Sequence, residues 1–143
     1  MTRIKQSGFS LIELLVVVAI IGALAAVGTF AYNGYVDSAR KTSAQNAMQQ
    51  IALMQTEHYS ITGGYYGVAS CDIPSASGTS EINTTLFDVG PDDEAVIDVE
   101  RYEFCVQHER EDGVVVGFIV KSCNTQKGCE TILTLDSKGA NNF

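Results

Sequence analysis

Between Phe9 and Tyr32 a single side chain is charged, the carboxylate of Glu13. An acid inside an apolar run long enough to cross a bilayer costs on the order of 2.5 kcal/mol or more, which marks it as functional by default. An isolated anchor gains nothing from that carboxylate. A helix that later leaves the lipid and pairs it with a positive charge does. The other groups able to do chemistry lie beyond the apolar run: Cys71, Cys105, Cys123 and Cys129, the histidines His58 and His108, and the acidic run Asp92-Asp93-Glu94.

An even number of cysteines in a domain exported beyond a membrane points to disulfides. Four allow three connectivities. We favour Cys71–Cys105, which ties a long loop to a central strand, and Cys123–Cys129, which closes a short Asn/Thr/Lys/Gly loop between two strands. The chain-entropy relation gives roughly 3.8 and 2.4 kcal/mol for these two links. Zinc is the rival use of the thiols, but no C-x-x-C pair is present. The histidines are isolated in sequence and read as packed or solvated side chains. The acidic run does not have EF-hand spacing, and Asn83-Thr84-Thr85 is a sequon of the kind that occurs by chance in loops. No nucleophile, base and oxyanion-hole set emerges. The expectation is a protein that is not an enzyme, with no cofactor and no metal.

These residues need elements to hold them. Ala44, Ala47, Met48, Ile51, Met54 and His58 recur at spacings of three and four, which predicts one apolar helix face. Arg40, Lys41, Gln45, Asn46, Gln49 and Gln50 occupy the other side, and Gly63-Gly64 supplies a stop. A helix from Phe9 to near Ile61 would be on the order of 80 Å long, too long to be wholly enclosed by a domain this small. Tyr102, Phe104 and Val106 alternate with Glu103, Cys105 and Gln107, a strand signal. Glu111-Asp112-Gly113 marks a turn, Val114 to Val120 a second strand and Ile132 to Leu135 a third. The expected fold is α+β, an antiparallel sheet packed on the C-terminal half of a long N-terminal helix. Residues Gly63 to Glu100, rich in Ser, Gly and Asp, read as one long connection.

At 143 residues and a formal net charge of −8, the chain has room for one ordinary domain. Its charge balance argues against generic nucleic-acid binding, which needs Lys and Arg to neutralise phosphates. A local patch would have to come from Arg101, Arg110, Lys121, Lys127 and Lys138.

Arg3 and Lys5 precede the apolar run as the basic region of a secretory signal would, but the run is too long and no A-x-A-like site follows it. A membrane-spanning anchor fits the length, with the basic end cytoplasmic. The stretch Gly8-Phe9-Ser10-Leu11-Ile12-Glu13-Leu14-Leu15, continued by Val16-Val17-Val18-Ala19-Ile20-Ile21-Gly22, resembles the class III signal of type IV prepilins. A short basic leader ends in Gly, Phe follows, and Glu stands fifth after the cut. A looser similarity to PilE-type minor pilins runs through Ala39-Arg40-Lys41, Gln45-Asn46-Ala47, the Tyr59–Tyr66 segment and Leu133 to Gly139. It does not separate minor from major subunits.

The resemblance implies a type IV pilin fold and a structural filament subunit. It implies cleavage between Gly8 and Phe9 by a prepilin peptidase, N-methylation of Phe9, and pairing of Glu13 with the Phe9 amine of a neighbouring subunit. The implied parts are a leader peptide over 1–8, a transmembrane and filament-core half of the helix over 9–32, and a globular head over 33–143. The implied partners are other pilin subunits, the peptidase, an inner-membrane assembly platform and, before assembly, the membrane itself. The implied path runs from the inner membrane to an extracellular filament. The family's single C-terminal bridge most resembles Cys123–Cys129. The sequence departs from the family in lacking a helix-bending proline, with none before Pro74; Gly22 and Gly28 weaken the helix instead, by about 1 kcal/mol each relative to Ala. The alternatives are a type II secretion pseudopilin, whose Asp-Pro-Trp-Gly stretch is absent here, and a pilin specialised for DNA uptake.

Overall fold

The structure, a computed structural model, describes residues 9–143. Contacts divide the chain between Ser38 and Ala39 into two compact units. Helix α1 (Leu11–Thr62) contributes to both. In the first unit its apolar side chains, Leu11 through Val27, all face outward. This helix is long and apolar enough to cross a membrane, and it continues through Gly22 and Gly28 without a break.

In the second unit Ala44, Ala47, Met48 and Ile51 are buried, as their spacing requires. Gln55 extends that stripe and is fully buried. Met54 and His58, assigned to the same face from sequence, are only half-buried. The helix ends at Gly63, whose φ of +77° is the left-handed conformation of a C-cap. Its N–H donates to the Tyr59 carbonyl at 2.8 Å.

Strands β1 (Tyr102–Glu111), β2 (Val114–Asn124) and β3 (Ile132–Asp136) form an antiparallel sheet in the order β1-β2-β3. Asp112 and Gly113 both have positive φ, which is what a two-residue hairpin needs to match the twist of its strands. Phe104, Val106, Phe118, Val120, Leu133 and Leu135 on one sheet face meet the α1 stripe in a single core. The α+β arrangement expected from periodicity is the one observed.

The connection over 63–100 is not irregular throughout. It contains a second helix, α2 (Ala76–Leu86). Ser75 caps it by accepting from the Gly78 N–H, and Ile82 and Leu86, four apart, bury into the common core. Its Ser, Gly and Thr content gives a low intrinsic helix propensity, so burial rather than composition stabilises it. Asn83 is buried here, with Nδ2 donating to the Ile97 carbonyl and Oδ1 accepting from the Ile97 N–H. The sequon is therefore a structural clamp.

The alternation assigned to β1 also needs correction, because Phe104, Cys105 and Val106 are buried in succession. Cys105 leaves the core face yet is covered, since Cys71 is bonded to it and α2 lies along this outer strand. The edge of β1 is occupied too. Thr79 Oγ1 accepts from the Phe104 N–H, and Val68 bonds both the Val106 carbonyl and the His108 N–H at 2.9 Å. At the opposite edge the C-terminus returns along β3, where Asp136 N–H donates to the Ala140 carbonyl and Thr134 N–H to Asn142 Oδ1. Both edges are thus protected against intermolecular strand pairing.

Candidate functional site

Helix α1 begins with a reciprocal pair of hydrogen bonds. The Ser10 N–H donates to Glu13 Oε2 at 2.9 Å and the Glu13 N–H donates to Ser10 Oγ at 3.3 Å. This is a capping box, Ser-x-x-Glu, in which two otherwise orphaned N–H groups of the first turn are satisfied. It matters more where no water is available to replace those bonds. Glu13 Oε1 accepts no hydrogen bond among the described residues. The carboxylate is therefore held at one oxygen and open at the other, on a helix whose flanking side chains are apolar. Phe9, just ahead, is 85% exposed. Gly8, on the other side of the expected scissile bond, lies outside the described residues, as does the rest of the 1–8 leader.

The head brings its cysteines together in two links. Cys71 is bonded to Cys105 and Cys123 to Cys129. The first fixes the 67–72 segment across β1. Lys121 reinforces it by donating from Nζ to the Cys71 carbonyl and to Gln107 Oε1, both at 2.7 Å. The second closes the turn after β2, where Asn124 Oδ1 accepts from the Gln126 and Lys127 N–H groups.

The remaining polar candidates serve the fold. His58 donates from Nδ1 to the Gly64 carbonyl at 3.0 Å, closing the end of α1, and His108 donates from Nε2 to the Tyr65 carbonyl at 3.1 Å. Asp93 accepts from the Gly90 N–H and shapes a turn. No group of three or more His, Cys, Asp or Glu side chains able to hold a metal occurs among the described residues. Of the basic residues singled out for a nucleic-acid patch, Arg101 faces Glu100 at 3.5 Å and Lys138 faces Glu109 at 3.4 Å. Arg101 and Arg110 stand at opposite ends of β1, roughly 30 Å apart at about 3.3 Å per residue.

Within the second unit, Glu100 and Tyr66 are electrostatically displaced. The Glu100 carboxyl is held below its ordinary range by hydrogen bonds from the Arg40 guanidinium, with Arg101 adding to the attraction. Burial, with the nearby Glu81 carboxylate acting in the same direction, pushes the Tyr66 phenol up to about 12.

Sequence reasoning missed Gln55. Its Nε2 donates to the Tyr66 carbonyl at 2.8 Å and its Oε1 accepts from the Tyr66 N–H at 2.9 Å. A signal for it existed, since Gln55 falls four residues after Ile51 on the apolar stripe.

Comparison with known proteins bears on the helix start. Residues 3–29 match the prokaryotic N-terminal methylation motif. Over 63 residues the chain is 41% identical to fimbrial protein EcpC of Eikenella corrodens, a stretch covering 44% of this chain and 41% of that protein. The match thus spans about two fifths of that relative's length. No solved structure matches. With the methylation motif at its N-terminus, an exposed apolar helix bearing one capped carboxylate, and this likeness to a fimbrial protein, the chain is consistent with a type IV pilin carrying a class III prepilin signal.

Proposed function

We propose that this chain is a structural subunit of a type IV pilus, a minor pilin, cut between Gly8 and Phe9, methylated at the Phe9 amine and assembled through α1. In this reading a prepilin peptidase processes it, an inner-membrane platform extracts it, and other pilin subunits surround it in an extracellular filament. Residues 9–32 form the part that first spans the membrane and then lies in the filament core, and residues 33–143 form the head.

The observation that carries the reading is Glu13, with one carboxylate oxygen capped by the Ser10 N–H and the other without a partner among the described residues, on the exposed apolar first half of α1. In a water-poor filament core a neighbour's Phe9 ammonium would pair with that oxygen. The attraction is stronger there than in water, and an unpaired carboxylate would be costly. The pair would set the register between subunits.

Purified mature protein should begin at Phe9 on N-terminal sequencing, and any other start removes the class III assignment. Glu13→Ala and Glu13→Gln should insert and be cut at Gly8, yet be depleted from sheared fibres. Wild-type incorporation of both variants would refute the docking role.

A further inference from the structure

Tyr32 and Tyr35 stand at the head end of the apolar run, three residues apart and so on neighbouring positions of one face of α1. Aromatic rings on a helix ordinarily bury against something. These do not, being 68% and 75% exposed. Neither ring stacks on another among the described residues. The space around Gly28 and Gly34, to either side of Tyr32, is open. The next charged side chains follow at once, with Asp37, Arg40 and Lys41.

The spacing along the helix gives these rings a place. At about 1.5 Å per residue, Leu11 to Tyr32 covers roughly 32 Å, against about 30 Å for a bilayer hydrocarbon core. If the capped Glu13 end sits at one interface, where a carboxylate is least costly, Tyr32 falls at the opposite interface and Tyr35 about 4.5 Å beyond it. Tyrosine suits that depth because its ring is apolar and its hydroxyl seeks water.

We infer that Tyr32 and Tyr35 form an interfacial anchor that sets how deep α1 sits in the bilayer before assembly. The partner is the headgroup and glycerol region of the outer leaflet. The inference rests on the reading of the chain as a membrane-anchored precursor. It adds that these two rings, and not the apolar run alone, fix the depth of the helix.

The chain has no tryptophan, so a single one reports its own surroundings. Full-length chains carrying Tyr32→Trp, Tyr35→Trp or Leu24→Trp would be placed in phosphatidylcholine vesicles brominated either near the chain carbonyls or near the chain ends. Leu24, 67% exposed on the same helix, serves as the deep reference. Tyr32→Trp and Tyr35→Trp should be quenched more by shallow than by deep bromines, and Leu24→Trp the reverse. Adding Tyr32→Ala and Tyr35→Ala to the Leu24→Trp chain should change its ratio of deep to shallow quenching. Deep quenching or none at positions 32 and 35, or an unchanged ratio in the double-alanine chain, overturns the anchor while leaving the spanning helix in place. Absence of deep quenching at position 24 overturns the spanning reading itself and the anchor with it.

Discussion

The side chain of Gln55 reads both backbone groups of Tyr66, donating to its carbonyl and accepting from its N–H. One fully buried amide on α1 therefore fastens the segment that follows the helix, eleven residues on, to the helix itself. Gln55→Leu keeps the approximate volume but leaves the half-buried Tyr66 N–H and carbonyl without their side-chain partner. The expected loss is on the order of 2 kcal/mol, read as a fall of roughly 8–16 °C in the melting temperature of the full-length chain in detergent. A melting point within a degree or two of wild type would show that water replaces both bonds.

Because the Tyr66 phenol is raised to about 12 by burial, the folded chain keeps it protonated where an unfolded chain, titrating near 10, does not. A raised folded value means its contribution is whole below pH 10 and lost as the pH climbs to about 12. Wild type should therefore melt progressively lower between those limits, and Tyr66→Phe should flatten that decline. Parallel melting curves across the alkaline range for the two proteins would contradict this.

The two disulfides close loops of different length, with sequence separations of 34 and 6. Removing Cys71–Cys105 by paired Cys→Ala changes should cost about 3.8 kcal/mol and removing Cys123–Cys129 about 2.4 kcal/mol on the chain-entropy relation. The ranking is the firmer expectation, since the first link also pins Val68 along the β1 edge. Denaturant midpoints measure both, and a larger loss from the second pair would reverse the argument. Peptide mass spectrometry of unreduced protein should recover no Cys71–Cys123 or Cys71–Cys129 link.

Gly78 lies where α2 touches β1. A Cβ there would come within 2.8 Å of the Phe104 carbonyl oxygen, a backbone atom with little room to retreat. Gly78→Ala should destabilise the head by about 1–3 kcal/mol through overpacking. Gly64→Ala, with nothing within 4 Å, should not. Similar melting temperatures for the two variants would mean that α2 shifts freely on the sheet.

Local patterns in the chain determined a good deal about this protein by themselves. The apolar run with its lone Glu13, the three-and-four stripe of Ala44, Ala47, Met48 and Ile51, the strand alternation and the Asp112-Gly113 turn each follow from a short-range period or a backbone preference. The long helix and the antiparallel sheet are legible for that reason. The motif from Gly8 to Glu13 is legible too, as a fixed spacing of distinct residue types. Only tertiary structure decided the rest. Helix α2 has weak local propensity and is stabilised by burying Ile82 and Leu86 and by bonds to β1 and Ile97. Cys105 is buried on the face that alternation assigns to solvent because a distant segment is bonded over it. Gln55 is polar by type and core by position, because its partner backbone arrives only after the chain has turned at Gly63. Each of these depends on contacts between residues far apart in sequence, and the free energy of such contacts has no counterpart in a local pattern.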